Sequence, residues 1–166
     1  AKIFEKITVP VKGNRVQVIT NGGGYGILTM DALGKNGLVA SEVGKSILAI
    51  RKVFPSTVVV KNPIDLLGDA TVERYQLALE AALKDESNDC IVITTLMQTP
   101  LLNESLVPAL AALIKKSSKP VVIVTTGSEY SQTLKRKFEE AGIACFDFPE
   151  NAVRALGKYV LYWTKR

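Results

Sequence analysis

The sequence predicts a doubly wound α/β domain, with a mainly parallel sheet and helices on both faces. Three observations carry this. Strand-like runs and helix-length segments alternate along the 166 residues. Most of the strand-like runs are apolar throughout instead of alternating with polar residues, as strands covered on both faces are. The first run, residues 15–20, feeds a turn with four glycines in five positions, Gly22, Gly23, Gly24 and Gly26, and then a helical pattern. The length suits one domain over residues 1–166.

Taken in order, residues 1–14 read as a lead-in, with Phe4 and Ile7 available to pack and Pro10 and Gly13 marking a turn. Val16, Val18 and Ile19 make the first strand β-branched and apolar. Ile27, Leu28, Met30 and Leu33 then follow at near-helical spacing over residues 24–36, and Gly37 is a plausible stop. Residues 38–40 are a short second strand and 42–53 a second helix, broken by Pro55. Residues 57–60 are the third strand, followed by a proline-fixed loop over 61–66. Asp69 or Thr71 caps a helix over about 71–85. The fourth strand spans 90–94, with a helix from about Glu104 to Lys116; the fifth spans 121–125, with a helix over 130–141. A sixth short strand, 143–146, leads to a last helix with Pro149 at a tolerated early position.

Right-handed crossovers put the loops after the strands on one edge of such a sheet, and ligands bind there, at the switch in strand order. That edge gathers residues 21–26, 61–66, 96–100 and 126–128. The glycine turn is its most specific element. A glycine turn feeding a helix leaves unpaired N–H groups and a positive dipole end, which together suit an anion, phosphate above all. The alternative is a tight turn with no ligand, for which one glycine would suffice. A Cβ at Gly24 is expected to block close approach of a ligand to the backbone and, if φ there is positive, to strain the turn. Asn62 and Asp65 are placed on the same edge beside it.

Several chemistries are excluded. The chain has no histidine, so a Ser-His-Asp triad, a histidine-ligated metal and a phosphohistidine cannot arise within it. Cys90 and Cys145 stand alone at the starts of apolar runs, forming neither a disulfide framework nor a metal motif, and suit a reducing cytoplasm. No apolar run reaches the length of a membrane span, and Ala1 to Lys6 is no signal peptide. The net charge is +5, with basic clusters at Lys115-Lys116 with Lys119, at Lys135-Arg136-Lys137 and at Lys165-Arg166. These read as solvated helix ends and faces, and no nucleic-acid recognition pattern accompanies them. The G-x-G-x-x-G dinucleotide fingerprint fails at Ile27 and Thr29, and the Walker A pattern ending in Gly44-Lys45-Ser46 fails at Val39. Paired acids of a phosphoreceiver domain are missing, since Asn21-Gly22 stands after the first strand.

Thr20-Asn21-Gly22-Gly23-Gly24-Tyr25-Gly26 with Asp31 resembles the T-N-x-G-G-x-G…D pattern of the NDP-forming acyl-CoA synthetases. Asn62, Pro63, Asp65 and Leu66 match that family's N-P-x-D-L, and Gln98 its glutamine after the fourth strand. Lys119 to Val122 match K-P-V-V, and Pro149, Glu150, Ala152, Val153, Ala155 and Leu156 match P-E-x-A-V-x-A-L. The likeness spans nearly the whole chain in order. It is similar to the second flavodoxin-like CoA-ligase domain of the α subunit of ADP-forming acetyl-CoA synthetase, and to the domain at the C-terminus of the succinyl-CoA synthetase β subunit.

The resemblance implies a mechanism. Acyl-CoA, ADP and phosphate are interconverted with acid, CoA and ATP through an acyl phosphate and a phosphohistidine borne by a neighbouring domain. Helix N-termini hold its phosphoryl group. Asn21, Gly22, Gly23, Gly24, Tyr25 and Gly26 would supply one such terminus, with Asn62, Asp65, Gln98, Gly127 and Ser128 as supporting edge-loop residues. The implied partners are a CoA-binding domain, the histidine-bearing domain and an ATP-grasp domain or subunit; the implied cofactors of the full enzyme are CoA, ADP or ATP, phosphate and magnesium, none bound by this chain alone. The isolated chain is expected to be inactive. The competing expectation is a stand-alone module that binds a small anion or nucleotide without catalysis.

Overall fold

A computed structural model of the chain describes residues 2–165. Ala1 and Arg166, the latter half of the Lys165-Arg166 pair, lie outside the described residues. The chain runs α1 (Lys2–Lys6), β1 (Arg15–Thr20), α2 (Gly23–Lys35), β2 (Val39–Ala40), α3 (Lys45–Ala49), β3 (Val59–Val60), β4 (Ile64–Asp65) and α4 (Val72–Lys84). It continues with β5 (Cys90–Leu96), α5 (Leu106–Ile114), β6 (Val121–Thr126), α6 (Glu129–Glu140), β7 (Cys145–Phe146) and α7 (Pro149–Thr164).

The strands form one seven-stranded sheet in the order β3-β4-β1-β5-β6-β7, with β2 also on β1. Only β3 with β4 is antiparallel; the pairs of β1 with β2, β4 and β5, of β5 with β6 and of β6 with β7 are parallel. From β1 the chain first builds outward through β2, β3 and β4, then returns to β5 and builds the other way. The switch in strand order therefore lies between β1 and β5, with the glycine turn at its mouth.

Because β5 and β6 are apolar on both faces, each face carries its own core. Ile19, Ile91, Ile93 and Ile123 lie under Tyr75, Leu79, Leu110 and Phe138 of α4, α5 and α6. Val16, Val18, Val92 and Val124 lie under Leu33, Leu156 and Tyr159 of α2 and α7. Ile3, Ile7 and Val11 of the lead-in belong to this second core. The Tyr159 hydroxyl donates to the carbonyls of Ile7 (3.1 Å) and Val9 (2.8 Å), and Phe4 packs at a tilt against Tyr159 and edge-to-face against Tyr162. The lead-in is thus part of the fold and contains a short helix.

Four sequence expectations are corrected. The helix expected over 42–53 is two short pieces, α3 and a 3-10 turn at Ile50–Lys52. The third strand shrinks to two residues. The loop expected over 61–66 contains a strand, β4, whose Ile64 and Asp65 register with Ile19 and Thr20. Lys119, placed with solvated lysines, instead turns inward. Its ammonium donates to the carbonyls of Ala82 (3.1 Å) and Asp85 and to Asn88 Oδ1 (3.2 Å), capping the C-terminus of α4. Among the described residues no helix is long and apolar enough to cross a membrane.

Candidate functional site

The glycine turn is built from β1 outward. Thr20, buried at the end of β1, both accepts from the Gly22 amide (3.1 Å) and donates to the Gly22 carbonyl (3.0 Å) through its hydroxyl. That closes the backbone into a tight turn. Asn21 is 3 % exposed and bridges the switch point. Its side chain accepts from the Leu96 amide (2.8 Å) and donates to the Leu96 carbonyl (3.1 Å) and to Thr99 (3.3 Å). Asn21 therefore locks the turn to β5 and has its amide engaged there.

Helix α2 starts on Gly22, in extended conformation, and no side chain caps it. Its first 5→1 bond is from Gly26 N to Gly22 O (3.1 Å), which leaves the amides of Gly23, Gly24 and Tyr25 ahead of the helical ladder. The glycines divide by surroundings. A Cβ at Gly22 would overlap Leu96, and one at Gly26 would press Thr20 (3.0 Å) and Pro63 (3.2 Å). These two are glycine because neighbours come close. A Cβ at Gly24 would meet nothing within 4 Å, and Gly24 is not among the glycines with positive φ, which are Gly37, Gly127 and Gly142. The condition for strain at Gly24, a positive φ, is therefore not met, and the space in front of it is open. At Gly23 the nearest neighbour is Asp65, whose Oδ2 lies 3.2 Å from the Cβ position.

Asp65 thus stands at the mouth of the turn, while its other oxygen accepts from the Leu67 amide (3.0 Å). Leu67 is held at φ 67°, the left-handed region that a leucine rarely occupies; nothing in the sequence marks it. Asn62 is turned away from this mouth. Its amide accepts from Val18 N (3.0 Å) and donates to Val16 O (2.7 Å) and Ser41 O (3.0 Å). It fills the gap on β1 between β2, which pairs at Arg15 and Val16, and β4, which pairs at Ile19 and Thr20.

Farther along the edge, Gln98 and Gly127 meet. Gly127 has φ +122°, and a Cβ there would overlap the Gln98 amide, so the position needs glycine on two counts. Ser128 follows as the N-cap of α6, in extended conformation and with no side-chain cap bond. The structure therefore gathers the glycine turn, Asp65, Gln98, Gly127 and Ser128 on the carboxyl edge, and gives Asn62 a bracing position inside the sheet.

Other candidates are inert by environment. Burial pushes the thiols of Cys90 and Cys145 up to about 12, so both stay protonated at neutral pH. Among the described residues no group of three His, Cys, Asp or Glu side chains is placed to hold a metal ion. The false Walker segment begins α3 on Gly44, where the Ile47 amide donates to Asp85 Oδ2 (3.0 Å). Sequence reading missed this cap because Asp85 lies 38 residues away from Ile47.

Comparison with known proteins agrees with this architecture. The Ligase-CoA domain family model matches residues 16–165. The α subunit of acetate–CoA ligase (ADP-forming) II from Pyrococcus furiosus is 33% identical over 151 residues, covering 87% of this chain and 33% of that protein. Acetate–CoA ligase (ADP-forming) I from Archaeoglobus fulgidus is 31% identical over 152 residues, covering 89% of the chain and 21% of that protein. The dinucleotide-forming acetyl-coenzyme A synthetase 1 of Ca. Korarchaeum cryptofilum, solved in complex with phosphate and ADP, superposes with a TM-score of 0.84 at 28% identity, over 97% of this chain and 37% of that one. The chain thus spans about a third or less of the length of the curated relatives it matches. It belongs to the Ligase-CoA domain family.

Proposed function

From that membership we propose that the chain is one domain of an ADP-forming acyl-CoA synthetase, and that its glycine turn holds a phosphoryl group carried on a histidine of a neighbouring domain. One observation carries the reading: the N-terminus of α2 is uncapped, and the space in front of Gly24 is open to 4 Å. The amides of Gly23, Gly24 and Tyr25 precede the ladder and suit phosphoryl oxygens, and the helix dipole adds about 0.3–1 kcal/mol, up to ~2 if partly buried. Preorganised amides at developing charge contribute more, and loss of one such donor costs roughly 3–4 kcal/mol in a transition state. The missing histidine fits a domain that receives the phosphorylated group from outside. Asn21 and Thr20 hold the loop rigid so that the amides need no reorganisation. The partner domains, CoA and nucleotide belong to the whole enzyme in this reading.

The test is Gly24→Val in the complete enzyme. A Cβ at Gly24 meets no neighbour within 4 Å, so the melting temperature is expected to stay within about 2 °C, while the valine side chain enters the space reserved for the phosphoryl group. Labelled-phosphate incorporation into the histidine-bearing domain is expected to fall at least tenfold. The chain alone is expected to make no ATP from acetyl-CoA, ADP and phosphate. Normal phosphorylation by a folded Gly24→Val enzyme reduces the glycine turn to a turn.

A further inference from the structure

The opposite edge of the sheet carries a second concavity. Three glycines open it. Gly13 and Gly37 leave its rim without side chains, and Gly157 lets α7 press so close to the end of α2 that a Cβ would overlap the Asn36 carbonyl. The result is a groove of about 510 Å³ between the end of α2 and the outer face of α7. Such a volume suits a nucleotide-sized ligand.

Its lining is divided by chemistry. Arg154 and Lys158, four residues apart and both exposed, supply cations. Among the described residues neither makes an ion pair; Arg154 donates one hydrogen bond, to Asn151 Oδ1 (2.8 Å). Asp89, which lies beside Gly13, is neutralised by Arg15 (2.8 Å). Leu161, 51% exposed, forms the apolar wall, while Val160 beside it is buried in the core. Asn14 and Asn36 donate their amide N–H groups to the Gly37 carbonyl (2.9 Å) and the Ala32 carbonyl (2.9 Å). That fixes both side chains and leaves their oxygens as acceptors.

We infer that this groove binds an organic phosphate with a flat, N–H-bearing body, of the nucleoside diphosphate class. The phosphates lie against Arg154 and Lys158, where guanidinium and ammonium give charge-assisted bonds. The base lies on Leu161, and its exocyclic N–H meets the asparagine oxygens. The site is separate from the glycine turn, which stands at the other end of β1, and does not depend on the role proposed for it.

The test uses the chain itself, titrated with ADP, adenosine and inorganic phosphate by calorimetry and amide chemical-shift mapping. ADP is expected to saturate with a dissociation constant below about 1 mM, and adenosine and phosphate to bind at least tenfold more weakly. Shifts should concentrate at Gly13, Gly37 and Gly157. Arg154→Gln with Lys158→Gln, both exposed positions, should weaken ADP at least tenfold with an unchanged melting curve, and Gly24→Val should leave it unchanged. The inference is overturned if ADP does not bind, if phosphate alone binds as well, if the shifts gather at residues 22–26, or if the double variant binds ADP normally.

Discussion

Helix α3 begins on Gly44 and helix α2 on Gly22, and the two glycines serve opposite ends. At Gly44 the missing Cβ admits a carboxylate of the same chain: Asp85 occupies the space a side chain would fill and accepts from the Ile47 amide (3.0 Å) and, through its other oxygen, from Ser87 N (3.0 Å). At Gly22 the neighbour is the apolar side chain of Leu96, no side chain caps the helix, and Gly24 two residues onward faces open space. A glycine before a helix is therefore no sign of an anion site until its surroundings are known. The segment that looks more like a nucleotide motif, Gly44-Lys45-Ser46, is the one already closed by its own acid.

That contrast is broken most sharply by removing the internal anion. Asp85→Ala leaves the Ile47 and Ser87 amides without their acceptor, at a cost of about 2–3 kcal/mol. The melting temperature should fall by roughly 4–12 °C, read by calorimetry, with hydrogen exchange fastest at the start of α3.

Acid gives a smaller effect of the same kind. Burial alone would raise the pKa of Asp85, but hydrogen bonds from Ser87 and Ile47 together hold it below the ordinary carboxylate value of 3.8. A carboxyl with a lowered folded-state pKa contributes stability that is present above the unfolded value and is lost as pH falls through the folded one. Near pH 6 the contribution of Asp85 to the denaturant midpoint should therefore be complete and independent of pH. Below pH 3.8 the midpoint should fall more steeply in the parent than in Asp85→Ala. The smallest effect is expected at Lys45, exposed beside the closed terminus. Lys45→Ala should change stability by less than about 0.5 kcal/mol and leave phosphoryl transfer unaltered; a large loss of transfer would reopen the Walker reading.

Most of the architecture was legible because long strands and amphipathic helices announce themselves locally. The runs at 90–94 and 121–125 are apolar up to a closing threonine, and Thr71 caps α4 as its sequence position suggests, accepting from Arg74 N (3.2 Å). The glycine turn was legible as well, because four close glycines have few other uses. What escaped has a common physical cause. Strands β3 and β4 are two residues each and have no period to read. Asn62, Lys119 and Asp85 have their places set by backbone groups 34 to 46 residues away. Asn62 braces the sheet because β2 and β4 leave two inward-facing groups of β1 unpaired between them, a gap that exists only after folding.

The first helix alters how this unit can be cut and joined. The match to the Ligase-CoA domain family begins at Val16, yet Ile3, Ile7 and Val11 fill the core between β1 and α7, and Tyr159 finds its acceptors at Ile7 and Val9. A fusion or exchange between relatives made at the edge of that match would carry away part of the interior and leave a tyrosine hydroxyl without its acceptors. The junction that respects the physics lies upstream of Ile3, so in recombination this piece travels with its preceding segment or travels damaged.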